Sequence, residues 1–192
     1  MEPAASAGFT IDAVNRTAAG IEDFDAVVRL YWPRIFRFAL ASLRDRDGAE
    51  SVTQDCFLKA YKSRDWFRGA CSLQTWLMQI AVNLVRDHVR NRRLQFWKRT
   101  REGALEIGSA GQWIPGTELS PEARALAKEQ VAAIWEAAVS LSEKQRTVFL
   151  LRFVEDMELL EIAAATGMKE GTVKAHLFRA LEAIRKRLGR SK

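Results

Sequence analysis

Apolar residues recur along this chain every third or fourth position, and no stretch alternates every second position as a half-buried strand would. From Asp23 onward Phe24, Val27, Val28, Tyr31, Ile35, Phe36, Phe38, Ala39 and Leu43 fall on one side of a helix. Pro33 lies inside this run, and its missing amide proton predicts a kink or the start of a new helix. Residues 45–48, Asp-Arg-Asp-Gly, read as a turn. A second helix is expected over residues 49–63, with Val52, Cys56 or Phe57, the pair Lys59 and Ala60, and Tyr61 at helical intervals. After a short loop, Ser72 serves as N-cap of a long helix from Leu73 to about Arg93. Its apolar stripe is Leu73, Trp76, Leu77, Ile80, Ala81, Leu84 and either His88 or Val89. The opposite stripe is Thr75, Gln79, Asn83, Arg86, Asp87 and Arg90.

Between Leu94 and Ser120 the pattern fails, interrupted by Gly103, Gly108, Gly111, Pro115 and Gly116, which reads as a flexible linker. Ser120, Pro121 and Glu122 then supply a cap, a first-turn proline and a first-turn acid for a helix through Leu126, Val131, Ile134 and Trp135 to Leu141. Residues 159–165 form a short apolar helix ending at Gly167, where glycine tolerates the left-handed backbone of a tight turn. In the last helix, residues 169–188, the stripe is Val173, Leu177, Leu181, Ile184 and Leu188, and the outer faces are polar and mostly basic. A short helix, a glycine turn and a longer basic helix suit docking in the DNA major groove. The expected fold is all-α: two helical domains on a flexible linker, the C-terminal one a helix-turn-helix. The boundaries read as an N-terminal extension 1–22, a first domain 23–94, a linker 95–119 and a second domain 120–192.

Charge sharpens this picture. The 192 residues carry a net charge of +6, with basic residues crowded into 86–101 and 174–192 and acidic ones around 45–55 and 155–161. Two basic faces, each on an apolar helical stripe, fit contact with a polyanion at two places. No apolar run is long enough to span a membrane and the N-terminus lacks a signal-peptide pattern, so a soluble, cytoplasmic protein is expected. Cys56 and Cys71 form neither a disulfide framework nor a metal knuckle, and two histidines do not make a metal site. No metal and no cofactor is expected.

Three segments, in this order and spacing, resemble the extracytoplasmic-function sigma factors of bacterial RNA polymerase. The first is residues 47–61, DGAESVTQDCFLKAY, similar to the family's core-polymerase-binding helix. The second is Phe67-Arg68-Gly69 followed by residues 72–83, SLQTWLMQIAVN, similar to its promoter −10 reading region. The third is Glu161-Ile162-Ala163 with residues 171–180, GTVKAHLFRA, similar to its −35 reading helix-turn-helix. The resemblance implies a subunit that binds core RNA polymerase, directs it to −35/−10 promoters and promotes DNA melting. It assigns polymerase contacts to Gln54, Asp55, Leu58 and Lys59. It assigns −10 DNA to Phe67, Arg68, Gly69, Ser72, Gln79, Asn83, Arg86 and Arg90, and −35 DNA to Thr172, Lys174, Ala175, His176, Phe178 and Arg179. It also implies an anti-sigma factor that holds the protein inactive. Ala175 and His176 depart from the Ser or Arg common in the family, so no particular −35 sequence carries over.

These residue types suit those roles. Holding a base outside the stack costs a few kcal/mol, which aromatic faces and polar groups offset. Asn83 offers a carbonyl and an amide to one base edge, and arginines hold the adjacent phosphates. Lys174 and Arg179 can donate to guanine edges or phosphates, and Phe178 can meet a thymine methyl. A linker of about 25 residues reaches at most about 80 Å, enough for elements a little over two DNA turns of about 34 Å apart. The tryptophans read as packing residues, Trp66 and Trp76 being the two with a claim to base stacking, and His88 reads as a half-buried helix residue. Cys71, in the reading loop, offers a redox-sensitive position. A two-domain repressor would leave residues 47–83 without a role. An enzyme is not expected, because no paired carboxylates, metal motif or phosphate loop is visible.

Overall fold

The structure, a computed structural model, describes residues 23–102, 134–138 and 140–189, with side chains described up to Arg92 in the first stretch. Helix α1 (Phe24–Leu43) opens on Asp23, whose carboxylate accepts the Ala26 amide at 2.9 Å. It runs through Pro33 as one helix and ends at Arg44, held left-handed at φ 56°. Val27, Tyr31, Ile35 and Phe38, spaced three and four apart, are fully buried.

Helix α2 (Arg46–Ser63) begins three residues earlier than the pattern predicts, so Asp-Arg-Asp-Gly is not a free turn. Arg44 makes the reversal, and Asp45 then enters the helix with its carboxylate on Arg92 at 3.2 Å. Val52, Cys56, Phe57 and Ala60 are all buried, so both alternatives at the second position point inward. Tyr61 does not: it is 48% exposed at the rim. An aromatic seam closes α1 on α2, with Trp32 stacked on Phe57 at 5.6 Å and Phe24 edge-on to Tyr61 at 5.2 Å.

After a 3-10 turn (Arg64–Trp66) and an exposed loop comes α3 (Leu73–Glu102). Ser72 caps it as expected, its Oγ accepting the Thr75 amide at 3.1 Å. The helix continues nine residues past the predicted end, through 95–102, the first part of the expected linker. No glycine or proline stands between Arg93 and Gly103, so nothing local stops it. Helix α3 buries two stripes. Leu73, Leu77 and Ala81 enter the first domain's core, while Thr75, Met78, Val82 and Val85 make a second buried line. Thr75, expected on the open face, is therefore covered.

Of the helix expected over 120–141, residues 134–138 are helical. Ser140 and Leu141 lie in a turn instead of the helix, their amides on the Ala137 and Ala138 carbonyls, and the rest lies outside the described residues, as do residues 1–22 and most of the linker. Helices α4 (Glu143–Phe153), α5 (Leu159–Thr166) and α6 (Glu170–Leu188) complete the C-terminal domain. Gly167 is left-handed at φ 70°, as the turn requires. Val173, Ala180 and Ile184 are buried, with Leu177, Leu181 and Leu188 packed beside them. Among the described residues there is no strand, and no helix is long and apolar enough to cross a membrane.

The two domains pack on each other: α3 lies along α5, and α1 meets α4.

Candidate nucleic-acid interface

Three patches carry the residues singled out above. The first lies on α2, where Gln54, Asp55, Leu58 and Lys59 are all exposed, Leu58 by 51%. Their spacing of one, three and one places them on the side opposite Val52, Cys56 and Ala60. A solvated leucine between an acid, an amide and a lysine is the chemistry of a protein contact.

The second patch is the loop into α3 and the outer side of that helix. Phe67 packs on Trp76 with ring centroids 5.0 Å apart, so both aromatics brace the loop and Trp66, 76% exposed, is the one fully presented to solvent. Gly69 takes φ 69° with open space about it, turning the chain there. Arg68 and Gly69 are exposed and Ser72 is half-buried under its cap bond. Gln79, Asn83, Arg86 and Arg90 are exposed along successive turns, which gathers the predicted residues on one side of α3. The Arg86 guanidinium donates to Asn83 Oδ1, and Arg90 pairs with Asp87 at 3.1 Å. The amide of Asn83 is thus oriented, with its NH2 left to donate outward.

The third patch is α6. Thr172, Lys174, Phe178 and Arg179 are exposed, Phe178 by 67%, and Arg185, Lys186 and Arg187 continue the positive charge into the last turn. Lys174 Nζ rests 2.6 Å from Glu170. Ala175 and His176 sit half-buried at the edge of this patch. Burial holds the His176 imidazole below its usual range, helped by the Arg179 and Lys144 charges.

A fourth set of residues was not legible as a site: those joining the domains. Glu155, following α4, is buried, and its two carboxylate oxygens accept from Nε and Nη2 of Arg37 in α1, at 2.9 and 3.1 Å. Burial pushes its carboxyl up, while the hydrogen bonds and charge of Arg37, with Arg34 beyond, pull it down. Gln74 of α3 donates to the Glu155 carbonyl at 3.0 Å. Glu161 of α5 accepts Thr75 Oγ1 at 3.2 Å and Ser72 Oγ at 3.4 Å, while its other oxygen holds the Glu158 amide at 2.9 Å. Arg146 reaches the Ser42 carbonyl at the end of α1 at 3.4 Å. Farther along, Val82, Val85, Arg86, Val89 and Arg90 face Glu143, Lys144, Thr147, Thr166 and Met168 across a cleft of about 530 Å³. The only sequence signal was the acidic run 155–161, which no periodicity ties to a partner.

Residues 27–95 match the sigma-70 region 2 family and residues 132–184 the sigma-70 region 4 family. Over 167 residues the chain is 34% identical to the RNA polymerase sigma-H factor of Pseudomonas aeruginosa, covering 86% of each protein. Over 137 residues it is 32% identical to the ECF RNA polymerase sigma-E factor of Escherichia coli, covering 69% of this chain and 70% of that one. The chain belongs to the extracytoplasmic-function sigma factors. It is also 28% identical over 176 residues to the sigma factor SigW of Bacillus subtilis, covering 91% of this chain and 94% of that one. In fold it is similar to the sigma factor RpoE of Bartonella quintana, solved in complex with the anti-sigma factor NepR. The TM-score is 0.70 at 24% identity, covering 88% of this chain and 98% of that one. As a sigma factor it is a DNA-binding protein of transcription initiation that takes RNA polymerase to specific promoters. The matched regions cover the patches: α2 and α3 up to residue 95 fall within region 2, and α4, α5 and α6 up to residue 184 within region 4.

Proposed function

We propose that the three patches divide the work of this sigma factor. Gln54, Asp55, Leu58 and Lys59 dock on core polymerase. Phe67, Arg68, Gly69, Ser72, Gln79, Asn83, Arg86 and Arg90 capture the melted −10 strand, with Asn83 reading one base and the arginines holding phosphates. Thr172, Lys174, Ala175, His176, Phe178 and Arg179 meet the −35 duplex, where Phe178 offers an apolar contact to a thymine methyl. The observation that carries this reading is the geometry at Asn83. The Asn83 amide is exposed, fixed by Arg86, and lies one turn from the second exposed amide of the set, Gln79, on the same side of α3. The sigma factor RpoE of Bartonella quintana, similar in fold, was solved with the anti-sigma factor NepR. A protein of that kind is proposed to restrain this chain too, in the cytoplasm where polymerase works.

Open-complex footprinting with core polymerase on a randomised promoter library tests the reading. Asn83→Ala is expected to lose discrimination within the −10 element by roughly 10- to 100-fold while binding core polymerase like the wild type. Loss of polymerase binding instead overturns the assignment of Asn83, and specific duplex binding without polymerase favours a repressor.

A further inference from the structure

Trp66, 76% exposed, is the most solvent-open large apolar side chain among the described residues, and it stands beside the −10 surface. Its backbone is not loose. It ends the 3-10 turn, where the Phe67 amide donates to the Arg64 carbonyl at 3.0 Å and Arg64 Nη1 donates to the Tyr61 carbonyl at 2.7 Å. The Arg64 guanidinium also lies over the Tyr61 ring, 4.0 Å from its centroid, which ties the turn to α2. The indole is thus held out into water by an ordered support, where its wide apolar faces gain from any contact that covers them. The neighbouring aromatics are already used. Phe67 and Trp76 meet at 5.0 Å and both pack against the core, so Trp76 is a brace and Trp66 is the ring left to meet a ligand.

We infer that Trp66 is a second capture point for the melted −10 strand: its indole stacks on an unpaired base other than the one at Asn83 and holds it without reading its identity. The inference rests on the −10 assignment and adds a residue to it. Placement separates the two bases. Trp76, Gln79 and Asn83 lie three and four apart on one side of α3, which puts Asn83 about 10 Å along the axis from Trp76. Phe67 ties Trp66 to the Trp76 end. Stacked bases follow one another at about 3.4 Å along a strand, so an amide at one end and an indole at the other meet different bases. Exposed Arg68 stands beside the ring in the same loop, where it can hold a phosphate of the captured strand. Stacking tolerates any base, because every base has a π-face. Trp66 therefore supplies grip where Asn83 supplies choice.

The test uses the full chain on core polymerase and a labelled single-stranded oligonucleotide of the non-template −10 strand, with each base in turn replaced by an abasic site. In the wild type, one abasic position other than that of Asn83 is expected to weaken binding about tenfold, while any of the four bases at that position binds alike. Trp66→Ala is expected to weaken binding of the intact strand by the same factor and to make that abasic position silent. The position read through Asn83 should still matter in Trp66→Ala, and affinity for core polymerase should match the wild type. Trp66→Phe keeps an aromatic face and is expected to recover most of the loss, which a misfolded loop would not allow. Unchanged affinity for the intact strand in Trp66→Ala overturns the inference. So does a loss that simply adds to that of every abasic position. Weakened binding of core polymerase overturns it as well, because the indole is then a protein contact. A failure of the −10 assignment shows separately: Asn83→Ala then keeps the wild-type base discrimination, whatever Trp66→Ala does to the abasic series.

Discussion

At the scale of single residues, close approach decides more here than charge does. Gly48 is buried in the first turn of α2, and a Cβ there would stand 3.0 Å from His88 Nε2 and 3.0 Å from Asp45 Oδ2. Asp45 can swing, but the imidazole is enclosed, with Nε2 buried and unbonded. In an open helix Gly→Ala stabilises by about 1 kcal/mol; here overpacking against His88 outweighs that gain. Gly48→Ala is therefore expected to destabilise by about 1 kcal/mol, and the same change in a His88→Ala background to stabilise by up to about 1 kcal/mol. Urea unfolding of the four proteins checks the reversal, and additive effects would remove His88 as the cause. The sequence left His88 and Val89 as alternatives for one inward position. Both are used: His88 packs on α2, and Val89 lines the cleft toward the second domain. Periodicity cannot make that distinction when a helix is covered on two sides.

At the scale of elements, the ends were the legible part where a residue has one local job. Ser72 and Gly167 do at their helix termini what their chemistry predicts. Gly167→Ala is expected to cost about 1 kcal/mol, because alanine resists φ 70° although the surrounding space is open. Thermal unfolding checks it, and an unchanged midpoint would show that the turn relaxes. Boundaries failed where a tertiary contact replaced a local signal. Asp-Arg-Asp-Gly looks like a turn, but Arg44 adopts the left-handed conformation and Asp45 is engaged by Arg92, so the helix starts early. In α3 the second stripe of Thr75, Met78, Val82, Val85 and Val89 was visible as a spacing of three and four. It shares Thr75 with the polar stripe expected on the open face, so spacing alone does not separate the two lines. The three candidate patches on α2, α3 and α6 emerged from motif and spacing because each sits on a single helix or its leading loop.

For the whole molecule, the relation of the two domains was the part no pattern announced, since Arg37 to Glu155 and Thr75 to Glu161 are polar contacts between residues far apart in the chain. The Glu155 carboxyl makes that relation depend on pH. Arg37 and Arg34 from α1 are the charges that lower it, Gln74 from α3 bonds only its carbonyl, and burial, the largest influence, leaves it raised above the ordinary carboxylate value of 4.5. A carboxyl raised in the closed form binds its proton more tightly there than when the domains separate. Its contribution to closure is therefore complete below the ordinary value and fades as pH rises through the raised one. Small-angle scattering between about pH 8 and about pH 5 is expected to show the compact fraction growing as pH falls. In Arg37→Met the main opposing charge is gone, the carboxyl rises further, and the compact fraction should begin to grow at a higher pH than in the wild type. Glu155→Leu removes the dependence. Compaction that weakens on acidification in the wild type would mean that the ion pair, and not burial, governs Glu155. Closure would then be lost as pH falls through a lowered carboxyl value, and Arg37→Met would flatten the profile instead of shifting it.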